Sequence, residues 1–166
     1  MGLMSFVKSA GAAIFGSKEE EKKIEQELQA QADAQRDKLA VLKKARAVRN
    51  RIEEQGLEVD GLDVQVDGGT VIVSGKVADQ ATAEKVALTA GNLDGVEAVD
   101  NRLEVENPEP EATFYTVVRG DTLSKIAKAH YGNAGKYPVI FEANKPMLTD
   151  PDKIYPGQVL RIPALD

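Results

Sequence analysis

Gly91-Asn92-Leu93-Asp94-Gly95-Val96-Glu97-Ala98-Val99 lies near the middle of the chain, where a helix must stop, turn and become a strand. The residues before it place Ala83, Val86, Ala87 and Ala90 at i, i+3, i+4 and i+7, one apolar helical face over Gln80 to Ala90. Asp79 is the expected N-cap, and Gly91 is expected to be the left-handed residue that closes the helix. A helix end leaves about four carbonyls without intrahelical partners, at the negative end of the macrodipole. Gly95 lets the following turn fold tightly against them. Such a turn can hold a cation without any carboxylate, although taken alone it reads as an ordinary glycine C-cap.

Outward from this turn the pattern is that of a small sheet. Leu62, Val64 and Val66 alternate, Asp67-Gly68-Gly69 supplies a hairpin turn, and Val71 and Val73 alternate again. After the turn, Val99, Asn101, Leu103 and Val105 predict a third strand. With a helix over 38–55 this makes an α-β-β-α-β unit, a sheet covered by helices. Val71-Ile72-Val73-Ser74-Gly75-Lys76-Val77, followed by Gly95-Val96-Glu97-Ala98-Val99-Asp100-Asn101-Arg102-Leu103, resembles the BON domain. That family has no catalytic residues, so the resemblance implies binding or scaffolding.

Upstream, Lys18 to Gln55 contains no Pro or Gly and is rich in Glu, Lys, Gln, Ala and Leu, which predicts helix almost throughout. Its apolar residues are sparse at first (Ile24, Leu28) and denser later (Leu39, Val41, Leu42, Ala45, Val48, Ile52), so the first part is expected in solvent and the second docked. A break near Asp33 or Asp37 is expected to give two helices. Before it, Met1 to Phe15 is apolar but interrupted by Lys8 and followed at once by Ser17-Lys18-Glu19-Glu20-Glu21, unlike a secretory signal. No run approaches the about 18 apolar residues of a membrane span. The expected location is the cytoplasm, with the N-terminal segment packed on the rest of the chain.

Downstream, a Pro/Glu-rich break over 106–113 separates a second module. Tyr115 to Val118 predicts a strand, and Asp121 or Thr122 caps a helix carrying Leu123, Ile126 and Ala127 that ends at Gly132. Tyr137 to Asn144 predicts another helix, Pro156-Gly157 a turn, and Val159 to Ile162 a returning strand. This β-α-α-β pattern, with Arg119-Gly120-Asp121-Thr122-Leu123 and Ile154-Tyr155-Pro156-Gly157-Gln158-Val159-Leu160, resembles a LysM domain. LysM domains commonly bind N-acetylglucosamine polymers, which implies a groove at Gly120, Asp121, Thr122, Leu123, Ile154, Tyr155 and Pro156.

The fold class is therefore α+β, divided as 1–36 (N-terminal segment and charged helix), 37–106 (BON), 107–113 (linker) and 114–164 (LysM). The chain of 166 residues has no cysteine, which removes disulfides and thiolate metal sites, and a net charge of -6, which argues against nucleic acid as a partner. Its one histidine, His130, and the absence of hydrolase, zinc-protease and Walker motifs argue against an enzyme. A monomer is expected, with a protein partner or a glycan left open for LysM.

The module order, the start Met1-Gly2-Leu3 with Phe6-Val7-Lys8, and the run Phe141-Glu142-Ala143-Asn144-Lys145-Pro146-Met147-Leu148 together resemble the family of small bacterial BON-LysM potassium-binding proteins. The likeness covers the first 16 residues and then roughly 55–163, while Lys18 to Ala47 departs from it. It implies a cytoplasmic K⁺ sensor or buffer of osmotic or ionic stress, with the ion held by the backbone carbonyls of Val7, Ala10, Ala12, Gly91, Leu93 and Val96. Neutral carbonyl dipoles suit a large, weakly hydrated cation, as in channel filters, whereas carboxylate clusters favour calcium. The alternatives are peptidoglycan binding through LysM and a stress-related protein adaptor.

Overall fold

A computed structural model describes residues 18–165. The chain divides by its internal contacts after Ala40. The first unit is described by the opening turns of helix α1 (Lys18–Glu54), whose side chains up to residue 40 are all exposed. Glu19, Glu20 and Glu21 occupy its first turn, where negative charge meets the positive end of the macrodipole. The expected break does not occur. Asp33 accepts a hydrogen bond from Gln29 at 3.0 Å and pairs with Arg36 at 3.8 Å, so its carboxylate bridges successive turns instead of competing for the backbone.

The second unit, from Val41 onward, holds both modules. Val48 and Ile52 of α1 are fully buried, with Ala45 packed beside them. Leu39, Val41 and Leu42 were expected on the docked face, yet all three are exposed, Leu42 at 66%. Docking begins a turn later than the density of apolar residues suggests, because only the stripe through residues 45, 48 and 52 meets the sheet.

That sheet runs β1 (Asp60–Asp67), β2 (Thr70–Asp79), β3 (Ala98–Asn107), with β2 in the middle. The β1–β2 hairpin is antiparallel and closes at Asp67 opposite Thr70, leaving Gly68-Gly69 as the loop. Helix α2 (Gln80–Gly91) then crosses over so that β3 lies parallel to β2, with Val71 opposite Val99 and Asp79 opposite Asn107. Val64, Val71, Val73, Val86 and Ala90 complete one core with Val48 and Ile52. The α-β-β-α-β expectation is met, and Asp79 caps α2 by accepting from the Thr82 N–H at 2.7 Å.

The second module comprises β4 (Thr113–Thr116), α3 (Leu123–Tyr131), a single 3-10 turn (Ala134–Lys136), α4 (Tyr137–Ala143) and β5 (Val159–Ile162). β4 and β5 pair antiparallel, and Val117, Leu123, Ile126, Ala127, Ile140, Leu148, Leu160 and Ile162 form a separate core. Thr122 is the cap of α3, accepting from Lys125 N–H at 3.2 Å, and Gly132 closes it in the left-handed conformation. Asp121 is engaged elsewhere.

The position at which α1 docks sets an expectation. Ile52→Ala lowers stability by about 2–5 kcal/mol in urea unfolding of the full chain, as for a buried large-to-small change, whereas Leu42→Ala stays within about 0.5 kcal/mol of the parent.

Candidate functional site

The turn after α2 is wound back on the helix end. The Asn92 N–H donates to Leu88 O at 2.9 Å, Leu93 N–H to Ala90 O at 3.4 Å, and Val96 N–H to Leu93 O at 3.2 Å. The left-handed residue is Gly95, with φ of 76°, and not Gly91, which remains inside α2 and is capped by Asn92 at φ of -88°. Gly91 is constrained by proximity instead, since a Cβ there would come within 3.3 Å of Val99 Cγ2. Leu93 and Val96 pack their side chains against the core of the sheet, which anchors the backbone between them. Glu97 N–H then joins the hairpin loop at Gly69 O, 2.8 Å away, and the chain enters β3.

The carbonyls of this turn are unequally used. Leu93 O receives the Val96 N–H, and Gly95 O receives the Lys44 ammonium at 2.6 Å. Among the described residues no donor reaches Gly91 O or Val96 O. Gly91, Leu93 and Val96 thus lie on one anchored turn, and Val7, Ala10 and Ala12 fall outside the described residues. A neutral set with two unengaged oxygens, next to a carbonyl that already meets a monovalent ammonium, fits a large monovalent cation. Among the described residues no three His, Asp or Glu side chains gather as a multivalent ion would require.

Between two of these carbonyls stands Asn92, whose side chain faces the other module. Its Nδ2 donates to Val159 O at 3.1 Å and to Leu88 O at 3.0 Å, while its Oδ1 accepts the Val159 N–H at 2.8 Å. Asn144, at the end of α4, does the same two residues along. Its Nδ2 donates to Arg161 O at 2.8 Å and its Oδ1 accepts the Arg161 N–H at 2.7 Å. Alternate residues of a strand present N–H and C=O to the same edge, so two amides close the side of β5 that β4 leaves open. Beside them the Glu84 carboxylate, 3% exposed, pairs with Arg161 and accepts from Ala112 N–H at 2.9 Å and Gln80 Nε2 at 3.1 Å.

None of Glu84, Asn92, Asn144 and Arg161 stood out in the sequence. Glu84 sits on a helix flank where acids are usually solvated, and Asn92 reads as one residue of a helix-ending turn. Their partners lie far along the chain.

The LysM loops come together at Val117, whose N–H donates to Gln158 O and whose carbonyl accepts the Gly157 N–H, both at 2.8 Å. Several residues expected in the groove have structural duties. Asp121 accepts from Tyr115 Oη at 2.8 Å and Val118 N–H at 2.9 Å, Thr122 caps α3, Leu123 is buried, and Ile154 packs on the core. Gly120 O accepts the Lys125 ammonium at 2.8 Å, while Tyr155 and Pro156 are exposed. The hydrogen bond to Asp121, with burial and that carboxylate's charge, raises the Tyr115 phenol above its ordinary pKa and keeps it neutral. His130 is exposed, its ring edge-on to Tyr115 at 5.4 Å.

Two family models match the chain, the BON domain over residues 44–107 and the LysM domain over residues 115–163. The chain is 42% identical over 164 residues to a protein of Escherichia coli named potassium binding protein Kbp, covering 98% of this chain and 99% of that one. It is 36% identical over 132 residues to an uncharacterized protein of Deinococcus radiodurans, spanning 72% of this chain and 51% of that relative. An esterase of Mycobacterium tuberculosis is 51% identical over 53 residues, a local likeness to 32% of this chain and 11% of the esterase.

Removing the amide at the centre of this arrangement has a defined cost. Asn92→Leu leaves the Val159 N–H and C=O without partners and lowers stability by about 1–3 kcal/mol in urea unfolding. Arg161→Met leaves the Glu84 carboxylate buried without its guanidinium and costs about 3–5 kcal/mol, a loss reduced when Glu84→Gln is added in a double-mutant cycle.

Proposed function

Because the chain belongs to the family of potassium binding protein Kbp, with a BON domain followed by a LysM domain, we propose that it is a non-enzymatic K⁺-binding protein. In this reading the ligands are the carbonyl oxygens of Gly91, Leu93 and Val96, completed by those of Val7, Ala10 and Ala12. The observation that carries it is the pair of carbonyls, Gly91 O and Val96 O, that no donor among the described residues reaches, on an anchored turn at the negative end of a helix. These carbonyl dipoles would replace part of the hydration shell of a bound K⁺.

The chain's own residues do the rest. Leu93 and Val96 hold the turn through their packed side chains, so little backbone ordering remains to be done on binding. Asn92, set between Gly91 and Leu93, passes the state of that backbone to β5 through its paired hydrogen bonds to Val159. Ligands from the N-terminal segment and the central turn would join pieces distant in sequence, and the ion would tighten the contact between the modules. This suits a cytoplasmic sensor or buffer of K⁺ in osmotic or ionic stress, with LysM as the module that docks and reports. The exposed Tyr155 and Pro156 favour, as a second reading, contact of LysM with a glycan or protein partner.

Thermal unfolding of the full chain in KCl against NaCl at equal ionic strength tests the site. K⁺ at a hundredfold excess over its dissociation constant adds about 2.7 kcal/mol, with a matching rise in Tm. Carbonyl ¹³C signals of Gly91, Leu93 and Val96 shift with K⁺ and not with Na⁺. Equal unfolding in the two salts, with unmoved carbonyl signals, removes the proposal.

A further inference from the structure

Lys44 stands on α1 four residues before Val48 and eight before Ile52, at the margin of the stripe that the helix buries against the sheet. The docking of α1 therefore aims it at the turn after α2, where its ammonium donates to Gly95 O at 2.6 Å. A Cβ on Gly95 would lie 3.5 Å from Nζ and 3.8 Å from Cε, so the ammonium rests directly over the glycine. Among the described residues no carboxylate pairs with Lys44, although Asp94 and Glu97 lie in the same turn and both are exposed. A backbone carbonyl, not an acid, receives this charge.

An ammonium and a K⁺ ion ask the same of such a turn, since each is monovalent and each is satisfied by neutral oxygen dipoles. Gly95 lies between Leu93 and Val96, so an ion held by those carbonyls and the Lys44 ammonium fall within a few residues of one short loop. Two like charges that close repel, and at the protein surface the repulsion is screened by water and salt without vanishing.

Resting on the K⁺ reading of the turn, we infer that Lys44 is the chain's own competitor for the cation, a tethered charge that weakens ion binding and must swing away when the ion enters. It sets the response at a higher ion concentration than the carbonyls alone would give. Because the side chain is long and its head reaches solvent, it can leave without disturbing Val48 or Ile52.

The test is a K⁺ titration of the full chain, followed by amide and carbonyl signals of residues 91–97, in the parent, Lys44→Met and Lys44→Arg. Low ionic strength is held with tetramethylammonium chloride. Lys44→Met keeps the apolar stem and removes the charge, and binds K⁺ about three- to tenfold tighter, an advantage that shrinks as ionic strength rises. Lys44→Arg, which keeps the charge, stays within about twofold of the parent. Equal or weaker binding by Lys44→Met, with parental binding intact, overturns the role of Lys44 and leaves the site standing. Absence of a K⁺ response in all three proteins removes the site and this role together.

Discussion

A helix that ends must dispose of its last carbonyls, and the way α2 does so organises the second unit of this protein. Its final turn uses Leu88 O and Ala90 O for the N–H groups of Asn92 and Leu93, then reverses at Gly95 to deliver the chain into β3. That reversal leaves Gly91 O and Val96 O without a donor among the described residues and turns the Asn92 amide outward. One backbone manoeuvre creates both a set of carbonyl dipoles and a hydrogen-bonding arm. Under the proposed K⁺ reading, binding at the first would act on the second, because Asn92 lies between Gly91 and Leu93.

The contact that this arm makes is polar. Asn92 and Asn144 mimic a neighbouring strand along β5, and Glu84 with Arg161 adds a buried charge pair. Groups of this kind bring little net stability, because desolvation offsets most of what they gain. Their contribution is to register: an amide that must meet both N–H and C=O of Val159 accepts one placement, where a flat apolar contact would accept several. The same arrangement protects an open strand edge, which would otherwise be a template for pairing with other chains.

Charge is distributed in keeping with this. The chain is acidic overall, yet the turn after α2 meets a lysine, whose partner is a carbonyl and not one of the many acids available. The two buried residues that follow it on α1 set the point from which the Lys44 side chain reaches this turn. Packing thus decides an electrostatic contact, since the helix cannot rotate the lysine away without exposing Val48 and Ile52.

Both modules and their element order were legible in the sequence by itself, since alternation at Val71 and Val73, the helical stripe through Ala83, Val86 and Ala90, and the loop residues of the second module are local signals. So was the continuity of helix-forming residues in α1, although the expected break near Asp33 gave undue weight to two aspartates that the helix accommodates through Gln29 and Arg36. The turn at Gly91 was legible as a place but not as a geometry: two glycines four residues apart could share the left-handed conformation either way, and only the folded backbone, with φ of 76° at Gly95 and no positive φ at Gly91, shows which one adopts it. What tertiary structure alone decided are the pairings of Asn92 with Val159, Glu84 with Arg161 and Lys44 with Gly95, across separations of 67, 77 and 51 residues. Periodicity reports which face of an element is buried. It is silent on which polar group waits there, because that depends on how two separately folded surfaces meet.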